Sequence, residues 1–97
     1  LATKPQVILV GNNTNASAVL TGFTAAQLAN IMPGMGVTGT NVAASSVVLG
    51  VTPGDGTSDA TTGGRVTLNN NCTGTNSNIA FTFFPRIRID SLGVLAA

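Results

Sequence analysis

Apolar residues fall in short runs separated by clusters of Gly, Pro, Asn and Ser, a pattern typical of an all-β domain. The alternation is cleanest over residues 65–69, where Val66 and Leu68 alternate with polar side chains and predict a strand with one buried face. From all such runs we expect a small sandwich or barrel of about six to eight short strands. The other predicted strands cover residues 5–10, 16–23, 36–40, 46–52, 78–84 and 86–90.

One segment predicts a helix. Thr24 is a suitable N-cap for residues 25–30, where good helix formers run for less than two turns. Pro33 and Gly34 then end the pattern. We therefore expect at most one short helix, within residues 24–32.

Polar clusters mark the predicted loops. Residues 11–15 and 70–76 are rich in Asn, Thr and Gly, which favour turns. The sequence Pro-Gly-Asp-Gly at 53–56 is strong turn chemistry, because Pro presets φ and Gly accepts positive φ. We expect residues 53–64 to form a long, solvent-facing loop that is the least constrained part of the domain.

The chain length fits one domain. Its 97 residues contain no linker-like stretch, so we interpret 1–97 as a single β domain. One cysteine cannot form an intrachain disulfide, and a small core without one gains most from oligomerisation. The apolar segments 1–10 and 91–97 are candidate assembly arms, because a terminus is usually disordered unless something ties it down.

Composition excludes several classes of function. The chain has no His, so it has no His-based catalytic triad, no imidazole base and no HExxH zinc site. We therefore expect that the protein is not an enzyme and binds no cofactor.

Charge and hydropathy bear on the possible partners. A net charge of +1 from seven ionic side chains is too small to attract nucleic acid, and no apolar run is long enough to cross a bilayer. We expect neither nucleic acid nor membrane as a partner.

Residues 34–39 match the GxGxxG pattern of dinucleotide-binding proteins, and Asp59 follows 20 residues later. The context does not fit, because Pro33 replaces a strand residue and a β-branched stretch replaces the helix. A structural role in turns and bulges is the better interpretation of these glycines.

Other candidate sites are weak. Asp55 and Asp59 share one loop and are oxygen ligands suited to Ca²⁺, but the EF-hand spacing and its terminal Glu are missing, so we favour a solvated loop. Cys72 has no neighbouring cation to activate its thiol, and we treat it as a small side chain. Asn12, Asn15 and Asn71 begin N-x-Ser/Thr sequons, about as many as chance gives in a chain this rich in Asn and Thr.

The terminal segments carry the candidate interface. Apolar side chains near both ends are available for burial on a neighbouring chain. Two arginines on the predicted last strand are candidates for gripping an acidic partner, although a solvent-exposed face is the more common role for such a pair. The candidate interface residues are Val7, Ile8, Leu9, Arg86, Arg88, Leu92, Val94 and Leu95.

Five short motifs within residues 28–83 form a pattern. The first three are Pro-Gly-Met-x-Val-Thr-Gly-Thr at 33–40, Ala-x-Ser-Val-Val-x-Gly-Val at 44–51 and Gly-Arg-Val-Thr-Leu at 64–68. Cys-Thr-Gly-Thr at 72–75 and Ala-Phe-Thr-Phe at 80–83 complete it. The pattern resembles a small β module of tailed-phage virion proteins. The chain differs from the module in three places. Cys72 stands where the module tends to have Ala, Asn69 stands where it tends to have Ser, and the loop at 53–64 is enlarged.

The resemblance implies a virion structural role. The leading expectation is a capsid decoration (cement) protein on the virion surface, which bridges subunits of the major capsid protein and is itself a homo-oligomer such as a trimer. A tail or spike module is also compatible with it. From a different class, a subunit of a self-polymerising extracellular filament would donate residues 1–10 as a strand to the next copy. A carbohydrate-binding module is disfavoured by the absence of Trp and Tyr.

Overall fold

The computed structural model describes residues 6–85, which form six strands and one short helix. This confirms the predicted all-β class, and the strand number within the described residues lies in the expected range. In chain order the elements are β1 (Val7–Asn13), β2 (Val19–Phe23), α1 (Ala25–Leu28), β3 (Gly36–Thr38), β4 (Val48–Thr52), β5 (Gly64–Leu68) and β6 (Asn76–Phe84).

All strands pair antiparallel in one sheet of order β3-β6-β1-β2-β5-β4. The two outer strands then meet across a seam, where Gly36 bridges Val47. The Val48 amide donates to the Met35 carbonyl at 2.8 Å, and the Val37 amide donates to the Ser46 carbonyl at 3.1 Å. The sheet is therefore nearly closed into a barrel, a closure that removes most of its unpaired edge.

The barrel interior is filled by apolar side chains from every strand. Phe23 is fully buried and lies 6.3 Å, centroid to centroid, from each of Phe81 and Phe83, tilted or edge-on to them. Such geometry is favourable for aromatic pairs. On β5, Val66 and Leu68 are buried while Arg65 and Thr67 are half-exposed, as the alternation predicts. The core therefore leaves the opposite face of each strand to solvent.

The predicted helix start is confirmed. The Thr24 hydroxyl accepts from the Gln27 amide at 3.2 Å, and the Gln27 side chain accepts from the Thr24 amide at 2.8 Å. This reciprocal pair is a capping box. The short helix places Leu28, and Ile31 just after it, in the barrel core.

Several predicted boundaries were wrong. β1 continues through residues 11–13, which we expected to be loop, because Gly11 packs without a side chain against the Phe23 ring. β2 begins only at Val19, since Ala16 adopts a positive φ of 62° in a turn. β6 begins two residues earlier than predicted, and β4 two residues later. The predicted strand at 86–90 lies outside the described residues.

Candidate protein-binding face

Side chains of β1 alternate between the barrel interior and solvent. Leu9 and Asn13 point inward and are buried, as is the backbone at Gly11. Ile8 and Val10 point outward and remain 60% and 49% exposed. Two β-branched aliphatic side chains are therefore presented to solvent on a strand in the middle of the sheet.

The neighbouring strand extends this apolar surface. In the β1–β6 register Ile8 lies opposite Thr82 and Val10 lies opposite the exposed Ala80. Phe84, two residues further along β6 and half-buried, lies against Gly36 of β3, where a β-carbon would collide with its ring. We call the surface formed by Ile8, Val10, Ala80, Thr82 and Phe84 the β1–β6 outer face. None of its five residues carries a charge.

The structure separates the predicted interface residues. Of the three that lie within residues 6–85, Val7 is half-buried against the core, Leu9 belongs to the core, and Ile8 projects its side chain to solvent. Val10, which we placed in the 1–10 arm but did not single out, is exposed beside it. Sequence reasoning could not sort them, because the uninterrupted run Val-Ile-Leu-Val shows no alternation. Arg86, Arg88, Leu92, Val94 and Leu95 lie outside the described residues.

A second pair of exposed apolar side chains was missed. Met32 and Leu49 are 45% and 59% exposed, before β3 and on β4 respectively. Both lie near the seam of the barrel, where the Gly34 amide donates to the Val48 carbonyl at 2.8 Å. Leu49 lies at the register shift between Val48 and Gly50 in the β4–β5 pairing, a feature that the sequence pattern does not reveal.

The loop between β4 and β5 faces solvent as predicted, but it is tightly organised. One Asp55 carboxylate oxygen accepts from the Thr57 amide at 2.9 Å and from its hydroxyl at 2.6 Å. The other accepts from the Thr62 hydroxyl at 2.7 Å. Asp59 accepts from the amides of Thr61 and Thr62 at 2.8 and 3.1 Å. These bonds form two Asx-type turns within the loop. That residues 53–64 are the least constrained part of the domain stays a prediction.

These hydrogen bonds also lower the pKa values of the two aspartates in the loop. The hydroxyl and amide of Thr57 hold the pKa of Asp55 below its usual value, and the Thr61 and Thr62 amides do the same for Asp59. Both carboxylates already accept several hydrogen bonds within the loop. Among residues 6–85 no three His, Cys, Asp or Glu side chains cluster as metal ligands would.

A buried polar cluster joins three loops at one end of the barrel. The Asn13 amide group is 1% exposed, donates to the Thr40 carbonyl at 2.9 Å and accepts from Asn76 at 3.1 Å. Cys72 is buried beside it, and burial raises the pKa of its thiol. This environment suits the structural role that we expected for Cys72, since the thiol is inaccessible and disfavoured as a thiolate.

The remaining motifs serve the fold. Gly36 and Gly39 of the GxGxxG match lie against the rings of Phe84 and Phe81, and a strand follows Pro33–Gly34 instead of a helix. Among the sequon asparagines, Asn12 accepts from the Asn78 amide at 3.0 Å, whereas Asn15 and Asn71 are exposed. The structure thus gives the glycines a packing role.

Comparison of the chain with known protein families, with characterised proteins and with solved structures finds no match. The single helix in the described part is too short to cross a membrane. Within residues 6–85, we take the β1–β6 outer face as the candidate functional site, because it exposes apolar side chains on two adjacent strands.

Proposed function

We propose that the protein is a non-enzymatic structural component of a phage virion, a capsid decoration protein that stabilises the head by bridging neighbouring subunits of the major capsid protein. The observation that carries the proposal is the β1–β6 outer face, where Ile8 and Val10 are exposed on a central strand and the neighbouring side chains of residues 6–85 carry no charge. A solvent-exposed apolar patch marks an interaction surface.

The rest of the described domain suits a structural role on a particle surface. The barrel is nearly closed, its solvent-facing loop is fixed by hydrogen bonds, and no buried side-chain polar atom in the described part lacks a partner. Contacts through an uncharged face persist at high salt, because there is little Coulomb attraction to screen. The resemblance of residues 28–83 to a phage virion module points in the same direction.

The filament alternative requires residues 1–10 to leave their own sheet. Val7–Val10 pair residue by residue with Phe83–Ala80 of the same chain, and β1 lies between β6 and β2. Donating this strand would open the middle of the barrel and expose its core. The pairing therefore favours decoration by a folded domain over strand donation.

The proposal is tested by mixing purified full-length protein with undecorated capsids of the phage that encodes it. We expect saturable binding at lattice symmetry points, seen by sedimentation and by electron microscopy. Fibres formed by the protein alone would overturn the proposal in favour of the filament, and the absence of any capsid binding would overturn it outright.

A pair of variants locates the contact. Val10→Asp places a charge on the β1–β6 outer face and is expected to weaken capsid binding at least about tenfold, since burying an unpaired charge is costly. The matched control is Thr52→Asp, at an exposed position of β4. Equal binding by both variants would show that this face does not contact the capsid.

A further inference from the structure

The loop between β4 and β5 contains an Asp-Gly sequence, Asp55–Gly56, and Asp55 is exposed to solvent. An aspartate before glycine is especially prone to convert to isoaspartate, because glycine has no side chain to hinder the approach of its amide nitrogen to the carboxyl group. We infer that Asp55 is a latent site of this modification, which hydrogen bonds from Thr57 and Thr62 prevent in the folded loop and which becomes reactive when those bonds are lost. The site is independent of the proposed capsid contact.

The conversion of Asp55 needs no reactant other than water. In the neutral acid, the Gly56 amide nitrogen forms a bond to Cγ of Asp55, and the bond from Cγ to the hydroxyl oxygen breaks. The hydroxyl group leaves with the amide proton as water, and the product is a cyclic succinimide. Water then adds at Cγ, which restores aspartate, or at the backbone carbonyl carbon, which leaves the chain running through Cγ as isoaspartate. Nothing is oxidised or reduced in either step.

Both carboxylate oxygens of Asp55 are held by threonines of the same loop. One oxygen accepts from the Thr57 amide at 2.9 Å and from its hydroxyl at 2.6 Å, and the other accepts from the Thr62 hydroxyl at 2.7 Å. Ring closure removes one oxygen and the negative charge of the other, so it breaks or weakens each of these bonds, and bonds to a charged group are costly to lose. The Thr57 bonds also lower the pKa of Asp55, so less of the neutral acid is present to react.

The attacking group is held as well. The Gly56 amide donates to the Pro53 carbonyl at 3.0 Å, and the Gly56 carbonyl accepts from the Ala25 amide at the start of α1 at 3.2 Å. A succinimide has no hydrogen on the Gly56 nitrogen, so ring closure also removes the bond to Pro53. The folded loop therefore loses hydrogen bonds at both reacting groups, whereas an unfolded chain loses none of them.

The isoaspartate product does not fit the folded loop. It lengthens the backbone at residue 55 by one atom and moves the carboxylate onto Cα. The two sides of the loop are closely packed at this point, because a β-carbon at Gly54 would collide with the Gly63 carbonyl oxygen, and the Asp55 amide donates to the Thr62 carbonyl at 2.9 Å. We therefore expect that the native loop does not re-form around isoaspartate.

The test is the rate at which isoaspartate appears at residue 55 of the full-length protein, incubated near neutral pH and well below its melting temperature. Enzymatic methylation and fragmentation of the loop peptide by electron transfer both detect isoaspartate. We expect the folded parent to convert at least about ten times more slowly than the same protein in urea, and the double variant Thr57→Val, Thr62→Val to convert at least about ten times faster than the folded parent. Thr62→Val alone is expected to give an intermediate rate, and it replaces the double variant if circular dichroism shows that the latter does not fold.

Two further variants separate the loop bonds from other effects. Thr61→Val removes a hydroxyl of the same loop that does not contact Asp55, and it is expected to convert at the parent rate. Gly11→Ala places a β-carbon against the Phe23 ring, so it lowers the stability of the whole domain and leaves the loop bonds intact. At an equal loss of unfolding free energy it is expected to convert more slowly than the threonine variants.

Three outcomes would overturn the inference. The first is an equal rate in the folded and the urea-unfolded parent, and the second is a rate for the threonine variants no higher than that of Thr61→Val. The third is an acceleration by Gly11→Ala that matches the threonine variants at equal stability, which would show that global folding, not the bonds to Asp55, prevents the reaction.

Discussion

At Gly11, β1 passes close to the buried Phe23 ring. A β-carbon at this position would lie 2.6 Å from Cζ of the buried Phe23 ring and 2.8 Å from the Thr21 carbonyl oxygen. Gly11→Ala is therefore expected to destabilise the domain by about 1–3 kcal/mol, as overpacking of a core does. The measurement is the free energy of unfolding in urea.

Gly50→Ala is the matched control for that variant, because no atom lies within 4 Å of a β-carbon built at Gly50. We expect its stability to stay within about 0.5 kcal/mol of the parent. If the two variants unfold at the same urea concentration, contact with the Phe23 ring does not exclude a larger side chain at position 11.

Asp55 gives the domain a predictable response to acid. Its pKa is lowered in the folded state by hydrogen bonds from Thr57 and Thr62, so the stabilisation is present above the usual carboxyl pKa and is lost as pH falls through the lower folded value. We expect the melting temperature to fall as the pH drops below the usual carboxyl pKa. Asp55→Asn keeps a side-chain oxygen acceptor without the titrating charge, so its melting temperature is expected to fall less over the same range. Parallel curves for the two proteins would contradict this assignment.

At the scale of elements, α1 depends on its capping box. Four residues make a marginal helix, and Thr24 and Gln27 satisfy backbone and side-chain groups at its start. Thr24→Ala is expected to cost about 1 kcal/mol of stability, whereas Thr24→Ser keeps the hydroxyl and is expected to cost much less. Chemical denaturation measures both, and equal losses would show that the hydroxyl is not the stabilising group.

The sequence predicts the elements whose signal is local. The alternation in β5 and the N-cap at Thr24 both identify their elements correctly, because each depends on residues within a few positions. The strand character of Gly11 and Asn13 was not predictable, since it depends on Phe23 packing over Gly11 and on the bonds of Asn13 to Thr40 and Asn76. Turn-forming residues are used here inside a strand because of tertiary contacts.

The candidate site was only partly predictable for the same reason. An apolar first strand was evident from the sequence, but the side chain that faces outward depends on register and sheet closure. Ile8 is exposed because it lies opposite Thr82 on the outer side of the barrel, while Leu9, its neighbour, fills the interior. The exposed Leu49 likewise lies at a register shift, between Val48 and Gly50 in the β4–β5 pairing.

At the scale of the whole molecule, all three charged side chains of residues 6–85 lie away from the proposed binding surface. Asp55 and Asp59 lie in the loop between β4 and β5, and Arg65 lies on β5. The β1–β6 outer face is on the other side of β2 in the strand order. If the protein binds the capsid through this face, burial of apolar surface stabilises the complex, and salt does not screen that contribution.

The most direct test of the decoration proposal is the affinity of the full-length protein for undecorated capsids as a function of NaCl, measured by quantitative sedimentation. We predict saturable binding whose Kd changes by less than about threefold between about 0.05 and 1 M NaCl, since the five residues of the β1–β6 outer face carry no charge. A Kd that rises by a factor of about a hundred over this range would show that ion pairs hold the complex. That result, or the absence of saturable binding, would contradict the account.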